Sequence, residues 1–303
     1  MTILWLVFLL QTAHAGKITK EENWKLKERC SKSAVAANMY KRYRVNQSKY
    51  PFVFALSEID DVAGSHSEPF CSGVLISSRH ILTAAHCLVM NDEEACKQRS
   101  QKQLDLQETP AQEVGVFQSS CSTKECWTKK RVYEVALVRI HQNYDVDEAC
   151  DNRTTHDIGM IELKQDIPDF KPICMPQEHD IIPQRLISIG YGEHSKDYSI
   201  QAVVYESVEE GPEMKDSLLA YTKRRNESTI HGDSGGPLLQ IRAGKYYLVG
   251  ITSTSTEPPA EEFEGLFVDV RKKLDWICDE TGVCPLTDSE ERKQPSSEEE
   301  ESF

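Results

Sequence analysis

The chain has 303 residues, 39% of them hydrophobic and 28% charged, a balance that suits a folded globular protein and excludes a disordered one. Its 49 acidic against 35 basic residues leave a formal net charge of −14, which argues against a nucleic-acid surface and against binding to anionic membranes. No nucleic-acid or membrane partner is therefore expected.

Residues 1–15 read as a signal peptide. The apolar core from Ile3 to Leu10 is too short to span a bilayer, and Ala13-His14-Ala15 supplies a small-x-small cleavage pattern before Gly16. The expectation is a secreted, extracellular protein, and this decides how the 10 cysteines are read. In an oxidising compartment an even count means disulfides. Cys121-x4-Cys126 and Cys278-x5-Cys284 have no paired histidines at useful spacing, so neither a metal nor a cofactor is expected.

Residues 16–47 form a polar, Lys-rich stretch with Cys30, helical over Glu21 to Lys27. The body, residues 48–286, opens with a strand near Tyr50–Leu56. Two short strands follow, Phe70–Ile76 and His80–Ala84, then a polar Cys-rich region from Asn91 to Lys130 that holds Cys96, Cys121 and Cys126. Further strands are predicted at Val132–Ile140, Asp157–Leu163, Leu186–Gly192, Tyr246–Ile251 and Leu266–Val270, with Pro168–Pro176 extended. From Val270 to Asp279, Val270, Leu274 and Ile277 share one face and Gly282 follows as a stop signal, which predicts one terminal helix. Residues 287–303 are an acidic, solvated tail. Many short strands and one late helix give an all-β sandwich or barrel; these signals do not separate the two.

Three motifs carry chemistry. In His231-Gly232-Asp233-Ser234-Gly235-Gly236-Pro237 a serine stands between glycines that permit a sharp turn and close approach of a substrate carbonyl to main-chain N–H groups. A serine hydroxyl alone is a poor nucleophile and needs a base. Leu82-Thr83-Ala84-Ala85-His86-Cys87 supplies one, and Thr155-His156-Asp157-Ile158-Gly159 supplies an acid to orient it. Taken singly, His86 is a turn histidine, Asp157 a strand-end acid and Ser234 a loop serine; taken together they make a nucleophile, base and orienting group.

At these residues the sequence resembles the trypsin/chymotrypsin-type serine proteases, in a divergent, nematode-type branch. The order His, Asp, Ser is that family's, and it disfavours an α/β serine hydrolase, which uses another. The resemblance, over about Tyr50 to Cys278, implies an all-β fold of two six-stranded antiparallel barrels with the site between them. It implies His86, Asp157 and Ser234 as catalytic residues and the N–H groups of Gly232 and Ser234 as the oxyanion hole. It also gives Ser253 as a support behind the acid, Ser228 as the pocket base, and Ser255 and Gly265 as pocket walls. A serine at the base implies a preference for uncharged, aromatic or large apolar side chains over Arg or Lys. The resemblance further implies the bridges Cys71–Cys87 and Cys30–Cys174, the second tethering a propeptide. Cys96, Cys121, Cys126, Cys150, Cys278 and Cys284 are left with 15 pairings open.

Two departures stand out. The family's Ile-Val-Gly-Gly start is absent, so activation by the usual insertion of an ammonium beside Asp233 is not expected from that motif. Lys41, Arg42 and Arg44 could be cut, and a cut after Arg44 would free Val45 on a shorter arm to Pro51 than the family normally has. Ile230 stands where a cysteine normally bridges the pocket. Glycan sequons occur at Asn46, Asn152 and Asn226. The expected partners are a polypeptide substrate, with a protein inhibitor or an activating protease, and the chain is expected to be a monomer. The competing reading is a catalytically silent, protease-like regulatory or binding protein.

Overall fold

The computed structural model describes residues 16–31, 43–60, 65–89, 108–118, 132–145, 156–193, 199–211, 216–222, 228–255 and 263–285. Helix α1 (Lys20–Arg29) begins with a capping box: the Thr19 hydroxyl accepts from Glu22 N–H, and the Glu22 carboxylate accepts from Thr19 N–H. The helix is held on the body rather than leading away from it. Ile18 N–H donates to Thr281 C=O at 2.8 Å, Asn23 Nδ2 donates to Cys284 C=O at 3.0 Å, and Cys30 is bonded to Cys174.

A short strand β1 (Tyr43–Arg44) comes next, and the strands after it divide into two antiparallel sheets. The first contains β2 (Val53–Asp60), β3 (Ser65–His66), β4 (Cys71–Leu75), β5 (His80–Thr83), β6 (Val114–Phe117), β7 (Val135–Ile140) and β8 (Gly159–Leu163). Its order is β3-β2-β4-β5-β8-β7, with β6 also on β2. A bridge between Val116 and Tyr133 brings the β6 and β7 ends of the path together and rolls it toward a barrel. The second contains β9 (Leu186–Gly190), β10 (Gln201–Tyr205), β11 (Ser207–Glu210), β12 (Ser217–Thr222), β13 (Pro237–Arg242), β14 (Lys245–Ser255) and β15 (Phe263–Asp269). Its order is β1-β10-β9-β13-β14-β15-β12-β11, so β1 extends this sheet through Tyr43 opposite Ala202 and Arg44 opposite Gln201. Val203 and Tyr205 of β10 pack with Leu218 and Ala220 of β12 in one apolar cluster, which curls the second sheet on itself. The all-β, chymotrypsin-like architecture of two antiparallel sheets implied by the resemblance is observed, with seven and eight strands among the described residues rather than six in each.

The C-terminal segment differs in detail from its prediction. It opens with one tight 3-10 turn, Val270–Lys272, and only then becomes helix α2 (Leu274–Thr281). Gly282 ends it at φ 78°, where a Cβ would lie 2.3 Å from Ile18 C=O, so this position requires glycine for both conformation and space. The stretch Pro168–Pro176 is not extended throughout. Pro168–Asp169 is a turn with Asp169 at φ 49°, and only Cys174 makes a bridge, to Tyr247.

Candidate active site

The ends of two paired strands bring the base and acid together. β5 lies beside β8 with Thr83 opposite Gly159, so the turn after β5 and the residue pair before β8 are neighbours. His86 sits on that turn (Ala85–Leu88) and Asp157 just ahead of β8. The Asp157 carboxylate accepts from His86 N–H at 2.9 Å through Oδ1 and contacts His86 Nδ1 at 2.8 Å through Oδ2. From the second barrel, Ser253 Oγ donates to the same Oδ2 at 2.5 Å. Asp157 is fully buried. Burial would raise its carboxyl, but the charge of the His86 ring and the hydrogen bonds from His86 and Ser253 outweigh that and hold it below the ordinary carboxylate range.

The residue before it has left-handed backbone. His156 adopts φ 59°, and its ring stacks on His141 with centroids 4.6 Å apart. Lys273, itself buried, donates to His156 Nδ1 at 2.5 Å and to Asp216 at 2.7 Å. Burial first, and then the Lys273 and His156 charges, push His141 down to about 4. The segment after β15 thereby clamps the loop that presents Asp157.

Ser234 lies ahead of β13, whose neighbour β14 carries Ser253. Gly235 N–H donates to Thr252 C=O at 2.7 Å and Thr252 N–H to Gly236 C=O at 2.9 Å, fixing the serine loop to β14. Ser234 Oγ, half-buried, donates to Ser253 C=O at 3.2 Å. Among the described residues no acceptor meets Gly232 N–H or Ser234 N–H. Gly232 has φ 92°, which favours glycine there.

Two side chains shape this loop, and sequence reasoning gave a role to only one. Asp233, buried, accepts from Gly192 N–H at 2.8 Å through one oxygen and from Ile230 N–H at 2.9 Å through the other. Main-chain donors thus meet the carboxylate for which an ammonium partner was in question. Ser72 was not singled out. Its hydroxyl accepts from Tyr191 N–H at 2.9 Å and donates to Gly232 C=O at 2.8 Å, while its own N–H donates to Ser234 C=O at 2.7 Å. A small polar residue inside an otherwise apolar strand was the available signal.

The pocket residues also converge. Ser255 and Gly265 face each other across β14 and β15, Ser255 Oγ donates to Thr229 C=O at 2.8 Å, and Ser228 Oγ donates to Glu264 C=O at 3.3 Å. The sulfurs of Cys71 and Cys87 are bonded, as are those of Cys278 and Cys284, which cuts the 15 open pairings to three. Cys71, Cys87 and His86 lie close enough together to suggest a metal site, but both sulfurs are used by the bridge and His86 Nδ1 by Asp157. Asn46 is exposed at the start of a 3-10 turn and accepts from Ser48 N–H and Oγ, both at 2.9 Å. Asn152, Asn226, Cys96, Cys121, Cys126, Cys150, the signal segment and the acidic tail lie outside the described residues.

A sequence model described as Trypsin matches residues 43–277. The chain belongs to the trypsin family of serine proteases. It is 24% identical over 276 residues to the CLIP domain-containing serine protease B15 of Anopheles gambiae, covering 82% of this chain and 71% of that protein. It is 27% identical over 239 residues to phenoloxidase-activating factor 1 of Holotrichia diomphalia, covering 70% and 62%. It is also 24% identical over 254 residues to mannan-binding lectin serine protease 1 of Rattus norvegicus, covering 77% of this chain but 34% of that protein. The chain thus spans about two thirds of the first two relatives and a third of the last. None of these three is a nematode protein, and the nematode-type branch remains an expectation of the sequence alone. No described helix is long and apolar enough to cross a membrane.

Proposed function

We propose that this trypsin-family chain is a secreted serine endopeptidase that hydrolyses polypeptides through an acyl-enzyme and does not select Arg or Lys before the scissile bond. The observation that carries the reading is the buried Asp157 carboxylate, which grips both the ring and the backbone of His86 with Ser253 behind it. Turning about χ1 would release the Ser234 hydroxyl from Ser253 C=O and bring it to the His86 ring. His86 takes its proton as Oγ attacks the scissile carbonyl, and Asp157 stabilises the imidazolium. The developing oxyanion is received by Gly232 N–H and Ser234 N–H, each worth roughly 10²–10³ in rate. His86 then protonates the leaving amine, and a water deprotonated by the same ring releases the acyl group from Ser234.

Ser228 at the pocket base offers a neutral hydroxyl, not a carboxylate, to a P1 side chain. The loop carrying Gly232 is held by Asp233 and Ser72 while the chain is uncut, so we place the competent arrangement in the intact protein. In the uncut chain Val45 N–H donates to Ile200 C=O at 3.0 Å. The signal segment of residues 1–15 and the bridges support secretion. The proposed units are the leader, a tethered segment to residue 47, the peptidase body to residue 286 and the tail.

The test is labelling of the intact, purified chain with a fluorophosphonate. Labelling is expected without prior cleavage, to vanish in Ser234→Ala, and to decline as pH falls below about 6.5, where an imidazole takes a proton. No labelling before or after trypsin treatment would instead identify a catalytically silent binding protein.

A further inference from the structure

The floor of the pocket is built differently from its walls. Ser228 and Thr229 run across the base, and Ser255 and Gly265 stand on the strands above it. From beneath, on β10, Tyr205 reaches up into the same space. Its hydroxyl accepts from Thr229 N–H at 3.1 Å, donates to Thr229 Oγ1 at 3.2 Å and lies 3.4 Å from Ser228 Oγ. A Cβ placed on Gly265 would lie 2.6 Å from the Tyr205 oxygen and 2.7 Å from the Phe267 ring. Tyr205 and Phe267 thus occupy the volume that a side chain at position 265 would take. Tyr205 and Phe267 are both fully buried and meet edge to face, with centroids 5.4 Å apart.

We propose that Tyr205 is the residue that sets specificity, closing the pocket at the level of Gly265 so that the enzyme takes small uncharged side chains, such as alanine or serine, before the scissile bond. This rests on the endopeptidase reading above and narrows it: the aromatic or large apolar preference drawn from Ser228 and Gly265 alone gives way to a shallow slot. The phenol is not free to swing aside. It is enclosed by the second core, and leaving would strip Thr229 N–H of its acceptor in a buried site. It is also not a recognition group, since its donor and acceptor capacity is spent on the floor itself. A long side chain meets a sealed end. Each methylene the slot cannot hold costs on the order of 10- to 200-fold in kcat/KM.

The experiment uses the full chain, a peptide series varied only at the residue before the scissile bond, and fluorophosphonate labelling of the same preparation. The wild type should cleave after Ala and Ser at least about tenfold faster, in kcat/KM, than after Leu, Phe or Arg. Tyr205→Leu should raise Leu and Phe cleavage relative to Ala cleavage by about tenfold. Should Tyr205→Leu fail to fold, Tyr205→Phe removes only the oxygen and should move the optimum by about one methylene, toward Val and Thr. A labelled wild type that prefers Phe or Leu, or a labelled variant with an unmoved profile, overturns the role of Tyr205 and leaves the endopeptidase standing. An unlabelled wild type overturns both.

Discussion

The two barrels fix their shares of the site by different chemistry. In the first, the turn carrying His86 is joined to β4 by the bridge Cys71–Cys87, and the loop carrying Asp157 is clamped by the buried Lys273. In the second, the loop carrying Ser234 has no disulfide among the described residues: Ile230 stands where a cysteine would bridge it, and buried polar side chains hold it through main-chain groups. A covalent tie limits how far a loop can stray in the unfolded chain as well as in the folded one. A hydrogen-bonded tie acts only in the folded state and fixes direction as well as distance. The first barrel's device should therefore be seen mainly in stability, the second's mainly in chemistry.

Asp233 gives the largest expected effect. In Asp233→Asn one carboxylate oxygen becomes an amide nitrogen, so either Gly192 N–H or Ile230 N–H faces a donor inside a buried site. Gly190 and Gly192 pack so closely on Asp233 that a Cβ on either would lie 2.6 Å from its Oδ1, and the loop has no room to adjust. The oxyanion donors should lose their aim, lowering kcat by roughly 10²–10³ while the protein still folds and labels slowly. Unchanged kcat would mean that the loop needs no anchor at Asp233.

Removing the bridge sharpens the contrast from the other side. Cys71→Ala with Cys87→Ala should cost about 3 kcal/mol in denaturant unfolding. The triad hydrogen bonds do not pass through the sulfurs, so kcat measured well below the melting point should stay within about twofold of wild type. A loss as large as that of Asp233→Asn would erase the distinction between the barrels.

The same division explains what the sequence made legible. The motifs around His86, Asp157 and Ser234 could be read because chemistry restricts residue type at each position. The terminal helix and the strands with apolar runs could be read from period and turn residues. β1, β3, β6 and β10 to β13 were not predicted, β6 lying within the stretch read as polar and Cys-rich. Gln201–Tyr205 is buried throughout and shows no alternation, Ser207–Glu210 is mostly polar, and Pro237–Arg242 starts on the proline of the serine motif, which drew attention to the loop instead. Tyr205 was invisible for the same reason: nothing in a local pattern says that a tyrosine on an unpredicted strand reaches beneath Ser228, 23 residues later. Asp233 was noticed as an acid, but its partners at Gly192 and Ile230 depend on how β9 and the serine loop meet.

Ser72 is the point where the two devices join, and it carries the smallest effect. It adjoins Cys71 on the covalently tied strand, yet its hydroxyl bridges Tyr191 N–H and Gly232 C=O on the other barrel. Its C=O meanwhile accepts from Thr83 Oγ1 at 2.7 Å, so the residue cannot shift without disturbing the strand that leads to His86. Ser72→Ala keeps every main-chain bond and deletes the hydroxyl alone. One lost hydrogen bond on each side costs about 1 kcal/mol apiece, shared between fold and loop, so kcat should fall by roughly tenfold with KM nearly unchanged. Ser72→Thr, which restores the hydroxyl, should recover most of it. If the alanine variant instead raises KM and spares kcat, the hydroxyl serves substrate binding, and the link between the first barrel and the oxyanion loop runs through Ser72 N–H and Ser234 C=O alone.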